Sequence, residues 1–167
     1  METIGFIGLG IMGRPMAGHL LDAGFPVVTS DHRRPPPPDL TAKGLTAVTG
    51  HAAVARASDI VITMVPDTPQ VEEVLFGEDG VAAGLSPGKL VIDMSSISPI
   101  ATRDFAARIN ALGSAYLDAP VSGGEVGAKA ASLTIMVGGE EAAFTRARPV
   151  FEAMGKNITL VGSNGVG

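Results

Sequence analysis

The sequence contains no cysteine. That excludes a disulfide framework, a thiolate metal site and a cysteine nucleophile. Its three histidines, His19, His32 and His51, are well separated, so no metal site is expected. Charged residues make up only 17%, and Lys and Arg (12) are outnumbered by Asp and Glu (17), for a net charge of −5. The basic residues are scattered except for Arg33-Arg34, which argues against a sequence-independent nucleic-acid binder. No apolar run reaches the roughly 18 residues of a membrane helix. Met1-Glu2-Thr3 lacks the basic start of a secretory signal. A soluble, cytoplasmic protein is expected, with neither nucleic acid nor membrane as partner.

Hydrophobic residues make up 46% of the 167 residues, enough for a core of its own and too many for a disordered chain. The 22 glycines and 12 prolines are many for a helix bundle and suit tight strand–helix turns. Short β-branched runs predict strands at Ile4–Ile7, Val27–Ser30, Ile60–Met64, Leu90–Asp93, Ala115–Asp118, Leu133–Val137 and Ile158–Val161. Several are apolar throughout, as in parallel strands covered on both faces. Helix-period segments fall between them at Met12–Ala23, Ala52–Ala57, Gln70–Leu75, Pro99–Leu112 and Glu140–Met154. Ser98 and Pro99 read as the N-cap and first residue of one helix, and Gly113 as its stop. Ile100, Phe105, Ile109 and Leu112 read as its buried face, and the Met64, Met94 and Met136 side chains as core. The alternation predicts an α/β fold: a Rossmann-type, doubly wound, mostly parallel sheet with helices on both faces. Arg33 to Pro38, with four consecutive prolines, is expected to be a rigid loop. Residues 1–161 are expected to form the domain, and the glycine-rich 162–167 to begin a hinge.

Gly8-Leu9-Gly10-Ile11-Met12-Gly13 matches G-x-G-x-x-G between a predicted strand and a predicted helix. In that context Gly8 allows the tight turn, Gly10 lets the backbone approach a pyrophosphate, and Gly13 lets helix and strand pack closely. The helix N-terminus offers free N–H groups to the phosphates. Asp31 ends the second strand, 21 residues after Gly10. A carboxylate there accepts bonds from the adenosine ribose hydroxyls and repels a 2′-phosphate, which favours NAD over NADP. Arg33 and Arg34 follow closely and could pair with that phosphate, so both cofactors stay open.

The run from Ile4 to Met16 resembles the opening of the β-hydroxyacid dehydrogenases. Thr63-Met64-Val65-Pro66, Ile92-Asp93-Met94-Ser95-Ser96-Ile97-Ser98-Pro99 and Asp118-Ala119-Pro120-Val121-Ser122-Gly123-Gly124 agree in order and spacing. The resemblance implies hydride transfer between NAD or NADP and a short hydroxy or oxo acid. It implies that backbone at Gly10, Ile11 and Met12 cradles the pyrophosphate and that Asp31, His32 and Arg33 meet the adenosine ribose. Met64, Val65 and Pro66 would line the cofactor cleft, with Ser96 near the nicotinamide ribose. Ser122, Gly123 and Gly124 would hold the substrate carboxylate. Asp93 reads more simply as a turn former. The resemblance also implies an all-helical C-terminal domain, absent from this chain, that makes the parent enzyme a homo-oligomer. Its general-acid lysine would lie a few residues past Gly167. Lys43, Lys89, Lys129 and Lys156 match no such motif, so no catalytic residue is expected here. A non-catalytic dinucleotide-binding module is the alternative. A different nucleotide or flavin binder would account for Gly8–Gly13 but not for Ser122–Gly124.

Overall fold

The computed structural model describes residues 1–31 and 35–166. In chain order they form β1 (Ile4–Ile7), α1 (Gly13–Asp22), β2 (Val27–Ser30), α2 (Pro38–Ala42), β3 (Thr46–Val48), α3 (His51–Ala57), β4 (Ile60–Thr63), α4 (Thr68–Phe76) and α5 (Val81–Gly84). Then come β5 (Leu90–Asp93), α6 (Pro99–Asn110), β6 (Ala115–Asp118), β7 (Val121–Ser122), α7 (Gly124–Lys129), β8 (Leu133–Gly138), α8 (Glu141–Met154) and β9 (Gly155–Gly162).

The strands make one sheet in the order β3-β2-β1-β4-β5-β6-β8-β7, with β9 on β8. From β3 to β6 every neighbour is parallel. β8 runs antiparallel to β6 and β7 and parallel to β9. The strand order reverses between β1 and β4, and in sheets of this kind that reversal opens a crevice at the carboxyl ends of the strands.

Side-chain alternation along the central strands feeds two cores. Ile4, Phe6, Ile60, Ile62, Leu90 and Ile92 point to the face covered by α1 and α8. Ile7, Val61, Val91 and Tyr116 point to the face covered by α3, α4 and α6. The expected doubly wound architecture is the one observed. The seven expected strands and five expected helices are present with small shifts of their ends. Five further elements are too short to leave a period: β3, β7, α2, α5 and α7 have two to six residues each.

Three expectations need correction. α2 starts on the last proline of the run, Pro38, because proline at the first helical position gives up no hydrogen bond. The buried face of α6 is Thr102, Phe105, Ala106 and Ile109, whereas Ile100 is 74% and Leu112 43% exposed. At about 100° per residue, Ile100 lies roughly 140° round from Phe105, and Leu112 falls past the helix end. Met136, expected in the core, is 46% exposed because β8 leaves that face uncovered. β9 continues to Gly162, and the segment after it is fastened to the sheet. Asn164 Nδ2 donates to Tyr116 O (2.9 Å), Asp118 Oδ1 (3.0 Å) and Gly138 O (3.2 Å). Gly165 N donates to Asp118 Oδ1 at 3.1 Å. Among the described residues no helix is long and apolar enough to cross a membrane.

Candidate functional site

A cleft of about 870 Å³ opens where the strand order reverses. Its floor is Ile7 to Gly10; Thr29, Ser30 and Pro35–Pro38 form one side, and Met64, Val65 and Pro66 the other. The volume falls in the ordinary range for ligand sites.

The glycine loop has a steric logic that differs from residue to residue. A Cβ on Gly13 would lie 1.8 Å from Gly8 O, and one on Gly8 2.0 Å from Met64 O. Neither can exist, so both glycines serve packing. A Cβ on Gly10 would meet nothing within 4 Å. Packing therefore does not demand glycine there; bare backbone at that point leaves room for something outside the protein. The N-terminus of α1 behind it has no side-chain cap and no acidic residue in its first turn. Arg14 N already donates to Gly10 O at 3.0 Å and Pro15 has no N–H, so what the helix start offers an anion is its dipole and the backbone ahead of Arg14. These residues fit a dinucleotide pyrophosphate. Arg14 lines the same cleft and pairs with Asp39 Oδ1 of α2 at 2.5 Å. That guanidinium holds the exposed Asp39 carboxyl below its ordinary range.

Across the reversal point, the ends of β4 and β5 are tied together through a buried carboxylate. Asp93 is 1% exposed. Its Oδ1 accepts from Thr63 Oγ1 (2.9 Å) and from Ser95 N (3.1 Å). Ser95 Oγ in turn accepts from Val65 N at 2.9 Å. One acid thus fixes both the Val65 wall of the cleft and the loop that carries Ser96. Asp93 Oδ2 is buried without a partner among the described residues, as is the Tyr116 hydroxyl. Burial is the main cause that pushes the Asp93 carboxyl up to about 6, against the bonds from Ser95 and Thr63; the neighbouring Asp118 adds to the rise. Burial also raises Tyr116, helped by Asp93 and Asp118.

A smaller pocket of about 240 Å³ lies beyond this loop, lined by Ser95, Ser96, Ile97, Pro99, Thr102, Asp118, Pro120 and Gly165. Ser96 is exposed at its edge. The structure thus brings Gly8, Gly10, Met64, Val65 and Pro66 around one cleft and Ser96 into the adjoining pocket. Gly13 is buried beneath the loop, Met12 is partly buried against the core, and Ile11 is exposed. Asp31 is exposed just past Ser30, its N–H bonded to Val48 O at 3.1 Å, and it lines neither cavity. His32, Arg33 and Arg34 lie outside the described residues. Ser122, Gly123 and Gly124 are exposed at the start of α7 and line neither cavity; Pro120, just before them, lines the smaller one. Gly123 (φ 129°) and Gly124 (φ 60°) need conformations that side chains resist. α7 is anchored from α1: His19 Nε2 donates to Ala128 O and Lys129 O, both at 2.9 Å.

Reading the sequence alone missed Arg14 and the linking roles of Asp93 and His19. The first helical turn after the glycines could have flagged Arg14. Asp93 does make the turn expected of it, but nothing in a sequence reveals its burial. His19 pairs with residues more than a hundred positions away, which no local pattern encodes. Among the described residues no group of three or more His, Asp or Glu is placed to hold a metal ion.

Comparison with known proteins agrees with this geometry. Residues 3–162 match the NAD binding domain of 6-phosphogluconate dehydrogenase. The chain is 56% identical over 164 residues to 2-hydroxy-3-oxopropionate reductase of Escherichia coli, covering 98% of this chain and 56% of that protein. It is 44% identical over 167 residues to an NAD-dependent L-serine dehydrogenase of Pseudomonas aeruginosa, again 56% of that protein. The solved structure of Mycobacterium tuberculosis 3-hydroxyisobutyrate dehydrogenase with L-serine superposes with a TM-score of 0.90 at 40% identity. It covers all of this chain and 56% of its own. The chain thus spans about half the length of the relatives it matches. Fold and cleft define a Rossmann-type dinucleotide-binding domain. The chain belongs to the family of the 6-phosphogluconate dehydrogenase NAD-binding domain, within the β-hydroxyacid dehydrogenases.

Asp93 gives a pH signature. Its folded-state pKa of about 6 lies above the ordinary 3.8, so the folded chain binds the extra proton and gains stability as pH falls through that window. Asp93→Asn removes this dependence. The stability of the Asn variant relative to the parent should therefore fall by about 2 kcal/mol between pH 7.5 and 4.5, measured by urea denaturation at both pH values.

Proposed function

We propose that this chain is the NAD(P)-binding domain of a cytoplasmic oxidoreductase that reduces 2-hydroxy-3-oxopropionate (tartronate semialdehyde) to D-glycerate. The observation that carries the substrate is the 56% identity, across nearly the whole chain, to the E. coli reductase. 3-Hydroxyisobutyrate is the second reading, supported by the 40% identity to the mycobacterial enzyme. L-Serine is supported by the Pseudomonas relative. All three substrates carry the reacting oxygen on the carbon β to the carboxylate. A site for one therefore needs few changes to take another.

The bound nicotinamide supplies or takes up the hydride. The chain's own residues place it. Bare backbone at Gly10 and the uncapped start of α1 hold the pyrophosphate, which sets where the cofactor's two halves go. Asp31, just past β2, would receive the adenosine ribose hydroxyls and favour NAD over NADP. Arg33, on which a 2′-phosphate preference would rest, lies outside the described residues. At the ends of β4 and β5, Val65 and Pro66 would form a stiff wall for the nicotinamide half, and Ser96 would meet its ribose. Ser122, Gly123 and Gly124 offer a hydroxyl and unobstructed N–H groups to the substrate carboxylate.

None of the four lysines is offered as general acid. Lys43 pairs with Asp22, Lys129 with Glu125, and Lys89 Nζ donates to the last carbonyls of α3. Lys156 stands on β9. Residues 1–161 form the binding domain and 162–167 begin the hinge, with Asn164 and Gly165 still bonded to the sheet; the parent enzyme is a homo-oligomer.

Titration of NADH and NADPH into the 167-residue chain should give the tighter Kd for NADH. The reverse order would move the ribose-reading role to Arg33 and Arg34. Gly10→Ala should keep the melting temperature and weaken NADH at least about tenfold, because its methyl enters only ligand space. Gly13→Ala should lose stability as well. In a steady-state assay the chain alone should show no substrate-dependent NADH oxidation. Within an intact enzyme, kcat/KM for 2-hydroxy-3-oxopropionate should exceed that for L-serine or 3-hydroxyisobutyrate by about tenfold or more. A different leading acid would overturn the substrate reading but not the cofactor one.

A further inference from the structure

Asp93 makes more hydrogen bonds than a surface turn former needs, and one of its oxygens makes none. The turn to Ser95 N, the bond from Thr63 and the relay through Ser95 to Val65 all use Oδ1 or the serine hydroxyl. Oδ2 is buried without a partner among the described residues. Among the described residues no ion pair involves Asp93. Its neighbour across the strands in register is another carboxylate, Asp118. Burying a carboxylate under these conditions is costly, and a turn alone does not require it.

The position suggests what compensates the charge. With the pyrophosphate at the end of β1 and the adenosine toward β2, strand order sends the nicotinamide half toward β4 and β5. Asp93 ends β5 and is braced to the loops on both sides of that path. The oxidised nicotinamide ring carries a positive charge and the reduced ring none. On the cofactor reading above, we propose that the Asp93 carboxylate sets the balance between the two redox states of the bound cofactor, favouring NAD⁺ over NADH. Its Oδ1 bonds fix the charge in place, and its burial keeps water from screening it. Asp93 touches neither hydride donor nor acceptor in this role. It acts through the field at the ring.

Calorimetric Kd values for NAD⁺ and NADH, measured on the unmodified chain and on Asp93→Asn, test this. The amide keeps the Oδ1 acceptor and removes the charge. The expected result is a loss of NAD⁺ affinity relative to NADH of about threefold or more. Ser95→Ala cuts the relay to Val65 while keeping the charge, and should weaken both nucleotides alike. Asp93→Glu should retain the NAD⁺ preference even with weaker binding. Asp93→Ser, whose hydroxyl can make a similar turn, gives a second neutral comparison if the Asn variant does not fold. An unchanged NAD⁺/NADH ratio in a folded neutral variant that binds both would overturn the proposal alone. If the unmodified chain binds neither nucleotide, the cofactor reading falls first and this inference with it.

Discussion

The cleft exists because two backbone segments come closer than any side chain would allow. Gly8 turns the chain off β1 against the carbonyl of Met64, and Gly13 brings α1 down onto the carbonyl of Gly8. A methyl group at either place would push the helix away from the sheet or separate the loops after β1 and β4. Both loops border the reversal in strand order, so the spacing of these backbones sets the width of the crevice. α1 starts beside the space so defined, without a side-chain cap or an acidic residue in its first turn. Gly10, between the two packed glycines, is the one that packing leaves free.

The buried acid is a constraint of the opposite kind. Close packing of glycine stabilises what it shapes, whereas Asp93 is held in the charged form at neutral pH against its own burial. The bonds to its Oδ1 offset part of that cost and turn the acid into a brace between the β4 and β5 ends. Its linkage to pH and its proposed influence on the cofactor come from the same imbalance. A site that stores unfavourable charge to bias a ligand trades stability for selectivity, a common arrangement at functional sites.

The architecture was legible in the sequence because the central strands are short apolar runs and the long helices carry clear periods. The glycine loop was legible because its spacing reflects a local steric requirement. What escaped was either too short or too distant. β7 and α5 have too few residues to show a pattern. Ile100 was misplaced because a five-residue step is neither helical period, and the contact that settles the face of α6 comes from the sheet. Asp93 looked like an ordinary turn residue, since burial is a property of what packs around it. His19 looked isolated, yet it links the helix behind the glycine loop to the end of α7, across most of the chain's length.

The placement of Tyr116 has an optical consequence. It is the only tyrosine, and there is no tryptophan. Its ring lies in the core beneath α6, with its hydroxyl buried and both Asp93 and Asp118 within electrostatic reach. The phenol emission of the chain therefore comes from a single ring in the corner where the two β-strand carboxylates meet. The protein carries a native chromophore at the edge of its own site, with no second emitter to obscure changes in protonation or charge there.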